Sequence, residues 1–599
     1  MSSVALAQTA TGRDARADTQ LMAAAMADRS VEWAHAGVPA VAVTAGAEDS
    51  ATAAGSVFTL AGGALLAGVS APSWVHWRME SVISDLDVTD SPEKIAAKVS
   101  AVTGDAHCVV ASPDQRWTVV YRSPMSARPL FYSAGHGSVL VASQIRGLRA
   151  ANPGIGVDPV GLAPFLVPSM CDPAGSAWAG VRRLPPGHAL IVRDGAATVH
   201  RAGHIDAEDV AGLARGDVVA EFRARLLVAM QRCSSPTDAV LLSGGIDSAS
   251  LAAAAVAGGL RRRPRAFALT YSTEELAACD ERRYVDAVEQ ATGIPVVRMP
   301  ADTLLPLAAE YPFGDEPEAW TYAGRNWAML RRIAADPDPV GSVIAGEGGD
   351  ELLLGQVFTV ADRRVNGDVD GAMAELATFP DPAGAARVVD GLIAGDYERR
   401  GTRVMRALGD IPPWLSPSYI SASGLVDRLT DGYPTLSEPG QFTTAYSRAL
   451  IGEAGAAGRV HCGGWWEDTA RRAGVRVTYP FLDPDLAALT WALPPEMLRK
   501  NGIEKVVLRD ALADELPASV AARRDKADAR VMMHAGLSRA ANSIRAVAAG
   551  GPLVDRGVID GDKLSVAIDK YLAGHHDHGP ALWATVAVNS WLEHVGESE

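Results

Sequence analysis

The sequence predicts a two-domain α/β protein, with a sheet-rich domain over residues 1–205 and a parallel-sheet domain with a helical C-terminal extension over 206–599. Three observations predict it. At 599 residues the chain is several times an ordinary domain. Upstream of about residue 205, short β-rich runs separated by Gly, Pro, Asp and Ser dominate (Val57–Leu60, Trp117–Tyr121, Leu130–Tyr132, Ser138–Ala142, His188–Val192). Downstream of Asp209, wholly apolar runs alternate with amphipathic stretches, the pattern of buried strands in a parallel sheet covered on both faces.

In chain order, helical spacing over Asp18–Trp33 and Pro92–Val102 adds two helices to the first domain. The uncharged stretch Ala51–Val75 carries Gly62-Gly63 and reads as paired strands around a Gly turn, not as a membrane span. In the second domain the strands are Ala239–Leu242, Ala266–Thr270, Ile294–Met299 and Ser342–Ala345. Helices over Glu281–Thr292 and Trp320–Ala335 separate them.

Composition narrows the function. Lys plus Arg number 55 and Asp plus Glu 71, a net charge of −16, which argues against a nucleic-acid or anionic-membrane partner. The five cysteines are scattered without a C-x-x-C pair, which excludes a zinc ribbon and points to a reducing, cytoplasmic setting. The N-terminus lacks the basic flank and apolar core of a secretory signal. Arg261–Arg265 reads as solvated charge after a helix end, and His575–His578 as a polar loop.

The strongest local signal is Ala239-Val-Leu-Leu-Ser-Gly-Gly-Ile-Asp-Ser248, a buried strand, a Gly-rich loop and then a helix ending near Gly258-Gly259. Ser243, Gly244 and Gly245 let backbone N–H groups converge on a phosphate at the positive end of the helix. The Ser243 and Ser248 hydroxyls add donors, and Asp247 is placed to hold Mg²⁺ against a polyphosphate. The chain contains no Gly-Lys dipeptide, so this is not a loop built to grip a γ-phosphate.

That string resembles the PP-loop of ATP pyrophosphatases, ligases that adenylate a carboxylate and release pyrophosphate, and within them the asparagine synthetase group. Three later segments agree in order: Val343-Ile-Ala-Gly-Glu-Gly-Gly-Asp-Glu351, Tyr479-Pro-Phe-Leu-Asp483, and Gly502-Ile-Glu-Lys505 followed by Leu508-Arg509, Leu516-Pro517 and Arg523-Arg-Asp-Lys526. The resemblance covers roughly residues 210–535. It implies ATP as a substrate, Mg²⁺ held by Asp247 and Asp350, and an adenine site lined by Leu242, Leu269 and Gly346. Asp350 also fits the bland role of a helix N-cap. Lys505 matches the lysine that neutralises the α-phosphate and developing oxyanion, and Arg509, Arg524 and Lys526 would add positive charge for pyrophosphate. Glu347 matches a position facing the reacting centre, where it either accepts a proton from the amine nucleophile or only structures the turn.

The first half resembles the same group's glutaminase domain, an Ntn-type αββα fold. The matching segments are Arg122-Ser-Pro…Ala127-Arg-Pro-Leu-Phe-Tyr132, Val141-Ala-Ser-Gln144 and Arg183-Leu-Pro-Pro-Gly187. Ser2 stands where that domain has its nucleophilic cysteine, and the glutamine-pocket signatures are missing. The resemblance therefore implies a degenerate amidotransferase without glutaminase activity. An adenylated carboxylate then meets an amine supplied by the substrate, as in lasso-peptide cyclases and β-lactam synthetases. Of these, the degenerate half and the tail look more like the cyclases, which close a macrolactam on a precursor peptide and work beside a leader-binding protein and a leader peptidase. The alternatives are a β-lactam synthetase, an ammonia-dependent asparagine synthetase, or a nucleotide-binding scaffold without catalysis. Trp320, Tyr322, Trp327, Trp465 and Trp466 either line a peptide cavity or pack the core.

Overall fold

The computed structural model describes residues 3–9, 15–25, 30–35, 40–45, 56–59, 65–70, 82, 85–87, 89–112, 116–135, 137–170, 172–235, 237–310, 312–317, 322–432, 440–453 and 466–598. Two compact units divide the chain. One is Met1–Leu162, Asp172–Ile205 and Gly455–Glu467; the other is Ala163–Cys171, Asp206–Ala454 and Asp468–Glu599.

The first unit holds two six-stranded antiparallel sheets. One orders β1 (Ser3–Thr9), β2 (Ser30–His35), β3 (Ala40–Ala45), β8 (Phe131–Gly135), β9 (Ser138–Ala142) and β10 (Val181–Arg183) as β10-β8-β9-β1-β3-β2. The other orders β4 (Ser56–Thr59), β5 (Leu65–Ser70), β6 (Ala106–Ala111), β7 (Trp117–Arg122), β11 (His188–Arg193) and β12 (Ala196–Arg201) as β12-β11-β7-β6-β5-β4.

Side-chain alternation explains the layering. Val109, Val120, Leu190 and Val192 face Tyr132, Val139 and Val141 across the two sheets, in one buried cluster. Their neighbours Cys108, Val110, Val119, Tyr121 and Ile191 point the other way, onto Ile95, Ala96 and Val99 of the helix Pro92–Val99. The helix Ala15–Ala25 packs on β1 and β3, completing four layers, αββα.

The uncharged stretch forms the β4–β5 pair, Ser56 opposite Gly68. The helix expected to run to Trp33 stops at Ala25, and Ser30–His35 is strand β2. Val31 and Trp33 alternate with Glu32, a period of two that helical spacing does not distinguish over so short a run. Pro92–Val102 ends three residues early, at Val99.

The second unit is built on a five-stranded, wholly parallel sheet, β15-β14-β13-β16-β17. Its strands are β13 (Asp238–Leu241), β14 (Arg265–Thr270), β15 (Val296–Pro300), β16 (Ser342–Ile344) and β17 (Arg476–Thr478). Consecutive residues are buried along each central strand: Ala239 and Val240, Ala266 to Ala268, Val343 and Ile344. Since successive side chains face opposite ways, both faces of the sheet are covered. β17 was not foreseen, because Val475-Arg-Val-Thr478 is polar at one face and too short to stand out. Between β16 and β17 lies a helical layer with its own core of Val360, Ala361, Ala372, Leu376, Val389, Leu392 and Phe442. A two-stranded hairpin, β18 (Arg499–Lys500) and β19 (Ile503–Glu504), follows. The last helix, Gly579–Ser598, buries Trp583 and Trp591. No described helix is long and apolar enough to cross a membrane.

Candidate active site

Strand order sets the site. β13 and β16 are hydrogen-bonded neighbours, Asp238 beside Ser342 and Val240 beside Ile344, yet they lead into connections that diverge. At such a switch point the loops beyond the carboxyl ends part and leave a crevice. Two of the Gly-rich segments lie there. Ser243–Gly245 leads into the helix Ile246–Ala254, and Gly346–Gly348 into the short helix Gly349–Leu353. Asp247 and Asp350 each fall in the first turn of their helices. Leu242, which donates its N–H to Phe267 O at 2.9 Å, Leu269 and Gly346 close three neighbouring strands at the same edge.

The two aspartates meet on one cation. Lys505 Nζ donates to Asp247 Oδ1 and Oδ2 at 2.5 and 2.6 Å and to Asp350 Oδ1 at 2.6 Å. Lys526 Nζ adds bonds to both Asp350 oxygens at 2.8 Å. Lys505 is only 1% exposed, a burial that a lysine tolerates when fully paired. Burial draws its pKa down, but the two carboxylates outweigh that and raise it. Burial would raise Asp350 too, yet the charges of Lys505 and Lys526 hold it at about 2. Asp247 is raised: burial and the neighbouring Asp350 charge exceed the pull of Lys505. Close approach needs Gly349, because a Cβ there would stand 2.8 Å from Asp247 Cγ.

Local devices deliver the lysine. The β18–β19 turn, Asn501-Gly502, has positive φ at both residues, as a two-residue hairpin requires. Glu375 accepts both turn N–H groups at 2.7 Å. Glu504, next to the lysine, accepts from Gly355 N at 2.9 Å, just past the helix of Asp350. Arg499 lies between the two glutamates, 3.0 Å from Glu375 Oε1 and paired with Glu504.

Other sequence-selected residues are placed as follows. Ser248 folds the phosphate loop on itself, accepting from Ser243 N at 3.1 Å and donating to Gly245 O at 3.2 Å. Glu347 is half-buried on the second loop. Arg509 is directed at backbone carbonyls, Glu504 O at 2.9 Å and Val520 O and Ala521 O at 3.0 and 2.7 Å, and burial lowers its pKa. Arg524 is exposed, whereas its neighbour Arg523 donates to Gly244 O at 3.0 Å. Sequence reasoning passed over Arg523 and its partner Glu281; the repeated Arg523-Arg524 pair does not by itself say which one turns inward. Asp483 caps the helix Pro484–Thr490 and pairs with Arg232 at 2.8 Å. Tyr322 and Trp466 are packed into the protein, Tyr322 donating to Ala529 O at 3.2 Å. Trp320 and Trp465, like Ser2, lie outside the described residues.

Two carboxylates converging where polyphosphate would lie are a donor set that suits Mg²⁺, and the buried ammonium group between them shows that the spot demands positive charge. Among the described residues no cluster of three or more His, Cys, Asp or Glu side chains forms a metal centre, His575, His576 and His578 included. In the first unit, burial pushes the Cys108 thiol up to about 12, which removes it as a nucleophile at neutral pH. Arg122 is fully buried and ties two of the matched segments together through Leu184 O at 2.9 Å and Ser126 O at 3.0 Å.

Two family models match the chain. The glutamine amidotransferase domain family matches residues 96–202. No curated protein matches the chain significantly. Among solved structures the chain is similar to an allosteric regulatory enzyme of purine biosynthesis, with 12% identity, 52% of this chain and 83% of that one covered, and a TM-score of 0.25. It is also similar to a glutamine phosphoribosylpyrophosphate amidotransferase from B. subtilis complexed with ADP and GMP, with 10% identity, coverage of 57% and 80%, and a TM-score of 0.25. The asparagine synthase family matches residues 223–593, more than half of the chain, and that span holds both aspartates, their shared lysine and the parallel sheet. The chain therefore belongs to the asparagine synthase family and is an ATP-dependent amide ligase.

Proposed function

We propose that the chain is a cytoplasmic lasso-peptide cyclase, which adenylates a side-chain carboxylate of a precursor peptide and closes a macrolactam with the peptide's own N-terminal amine. The observation that carries the adenylation step is the Asp247–Lys505–Asp350 constellation at the sheet's switch point.

An Asp or Glu oxygen of the peptide attacks the α-phosphorus of ATP, and the bond to the β-phosphate breaks, releasing pyrophosphate. The α-amine then attacks the acyl carbon, an amide bond forms, and AMP leaves. Asp247 and Asp350 would hold Mg²⁺, which supplies charge neutralisation to the polyphosphate. The loop Ser243–Gly245 and the helix start behind it receive the polyphosphate, with the Ser243 N–H held inside the loop by Ser248 Oγ. The Lys505 ammonium, held at this edge by Asp247 and Asp350, would stabilise negative charge at the α-phosphate in both steps. Lys526 draws pyrophosphate, and Glu347 takes the proton that the amine sheds. Holding amine and acyl group together in a folded peptide supplies much of the rate. An amine from the substrate itself is favoured because the glutamine-pocket signatures are missing and Ser2 stands where the glutaminase domains it resembles carry their cysteine. A leader-binding protein and a leader peptidase are the partners this chemistry calls for.

The test is a product balance. The full chain with ATP, Mg²⁺ and a linear peptide carrying a free N-terminus and an internal Asp or Glu is expected to release AMP and pyrophosphate in equal amounts. The peptide should emerge lighter by one water, and Asp247→Ala should abolish both signals with the fold intact. ADP and phosphate as products would sink the adenylation reading. A cyclised small amino acid or free asparagine would reassign the substrate to a β-lactam synthetase or an ammonia-dependent asparagine synthetase, and no turnover at all to a scaffold.

A further inference from the structure

Arg523 is 5% exposed, and each of its three guanidinium nitrogens donates to protein. Nη1 donates to Gly244 O at 3.0 Å, Nε to Asp525 Oδ1 at 3.1 Å and Nη2 to Glu281, while the central carbon lies 4.0 Å from the Tyr284 ring centroid. Glu281 is clamped in turn by Ala527 N at 3.2 Å and closes on the phosphate loop, where a Cβ on Gly244 would stand 2.9 Å from the Glu281 Cβ. The loop is thus gripped from outside by two elements remote in sequence.

The grip has a directional consequence. In a trans peptide the C=O of Gly244 and the N–H of Gly245 point opposite ways. Fixing that carbonyl on Arg523 therefore aims the Gly245 N–H away from the guanidinium. The forked geometry matters: an ammonium group offers one compact charge and no planar face to lie on Tyr284. An arginine that bound pyrophosphate through the N–H groups now on Glu281, Asp525 and the Gly244 carbonyl would have to give up the contacts that hold the loop.

We propose that Arg523, held by Glu281 and Tyr284, is a positioning residue that orients the phosphate loop for nucleotide binding and does not itself contact pyrophosphate. The inference rests on the reading of Ser243–Gly245 as a nucleotide loop.

The experiment measures calorimetric binding of Mg²⁺ with α,β-methylene-ATP, which needs no peptide, to the full chain and to Glu281→Gln, Arg523→Lys and the double variant. Each single change is expected to weaken binding about tenfold, with the double no weaker than the poorer single, as for two members of one device. Thermal unfolding and the KM for ATP accompany it. The KM rises, while turnover at saturating ATP stays within about twofold. If Arg523→Lys does not fold, Glu281→Gln alone decides. Unchanged or tighter binding in Glu281→Gln overturns the proposal, since removing a carboxylate beside phosphates should help an arginine that touches them. Additive losses overturn it as well. If the wild-type chain does not bind the nucleotide at all, the loop reading itself fails. If it binds normally and the variants match it, only the positioning role fails.

Discussion

Lys505 occupies the place between two aspartates where a divalent cation would sit, so its removal has a double signature. Lys505→Met leaves Asp247 and Asp350 facing each other with one cation fewer. Breaking a buried pair by deleting one partner strands the other charge. The variant is expected to lose turnover by about 10²–10³-fold and to unfold at a lower temperature, and millimolar Mg²⁺ should restore the temperature but not the turnover. Asp350 is shifted in the opposite direction to Asp247. Its carboxyl is held at about 2, below its ordinary 3.8, so it contributes stability above pH 3.8 that is lost as pH falls toward 2. In Asp350→Asn, thermal unfolding followed from pH 5 down to 2 should show a shallower acid slope. His107 lies at the buried end of the same logic. Burial, then the Arg122 charge, pushes its imidazole from 6.5 down to about 3. The unfolded chain takes up that proton first, so the first unit loses stability as pH falls from 6.5 to about 3, and His107→Gln should flatten that limb.

Short helices and tight turns do the placing, and they vary in how plainly the sequence announces them. The strand–loop–helix around Ser243–Gly245 was legible because an apolar run, a Gly pair and an Ala-rich segment follow one another without interruption. The helix of Asp350 spans only Gly349–Leu353 and rests on contact with Asp247, which no local periodicity encodes. Gly349→Ala tests that contact. The added methyl falls 2.8 Å from Asp247 Cγ, so adenylation should drop about 10²-fold, by displacement of a carboxylate proposed to hold Mg²⁺. Denaturant unfolding should shift by no more than about 1–3 kcal/mol. The hairpin that presents Lys505 was visible as Asn501-Gly502, but its anchors Glu375 and Glu504 were not. Glu375 sits on a helix 126 residues before the turn it holds, and sequence carries no mark of such pairing. Helix Ala15–Ala25 was overextended for the opposite reason, since nothing apolar in Val31 or Trp33 disagrees with a helix until the neighbouring strand is known.

At the scale of the whole chain, αββα and parallel-sheet units carry the two halves of an amidotransferase–synthetase arrangement. Supplied with glutamine, ATP and Mg²⁺, the full chain should form no glutamate above background, and Cys108→Ser should leave AMP release unchanged. Glutamate appearing in step with AMP would restore the first unit as an ammonia source. The order of the sheet was readable only in part, because four apolar runs gave four of its five strands but not the β13–β16 adjacency that brings the aspartates together. That adjacency also bears on how the molecule comes to exist. Asp247 meets its lysine across 258 positions and Asp350 meets Lys526 across 176. Contacts so remote close late, since the intervening polymer must first be confined. A growing polypeptide that has left the ribosome only as far as the helical layer carries both acids without their counter-ion. Nucleotide affinity should thus arise in one step near the end of synthesis, which spares the cell a half-made enzyme that consumes ATP.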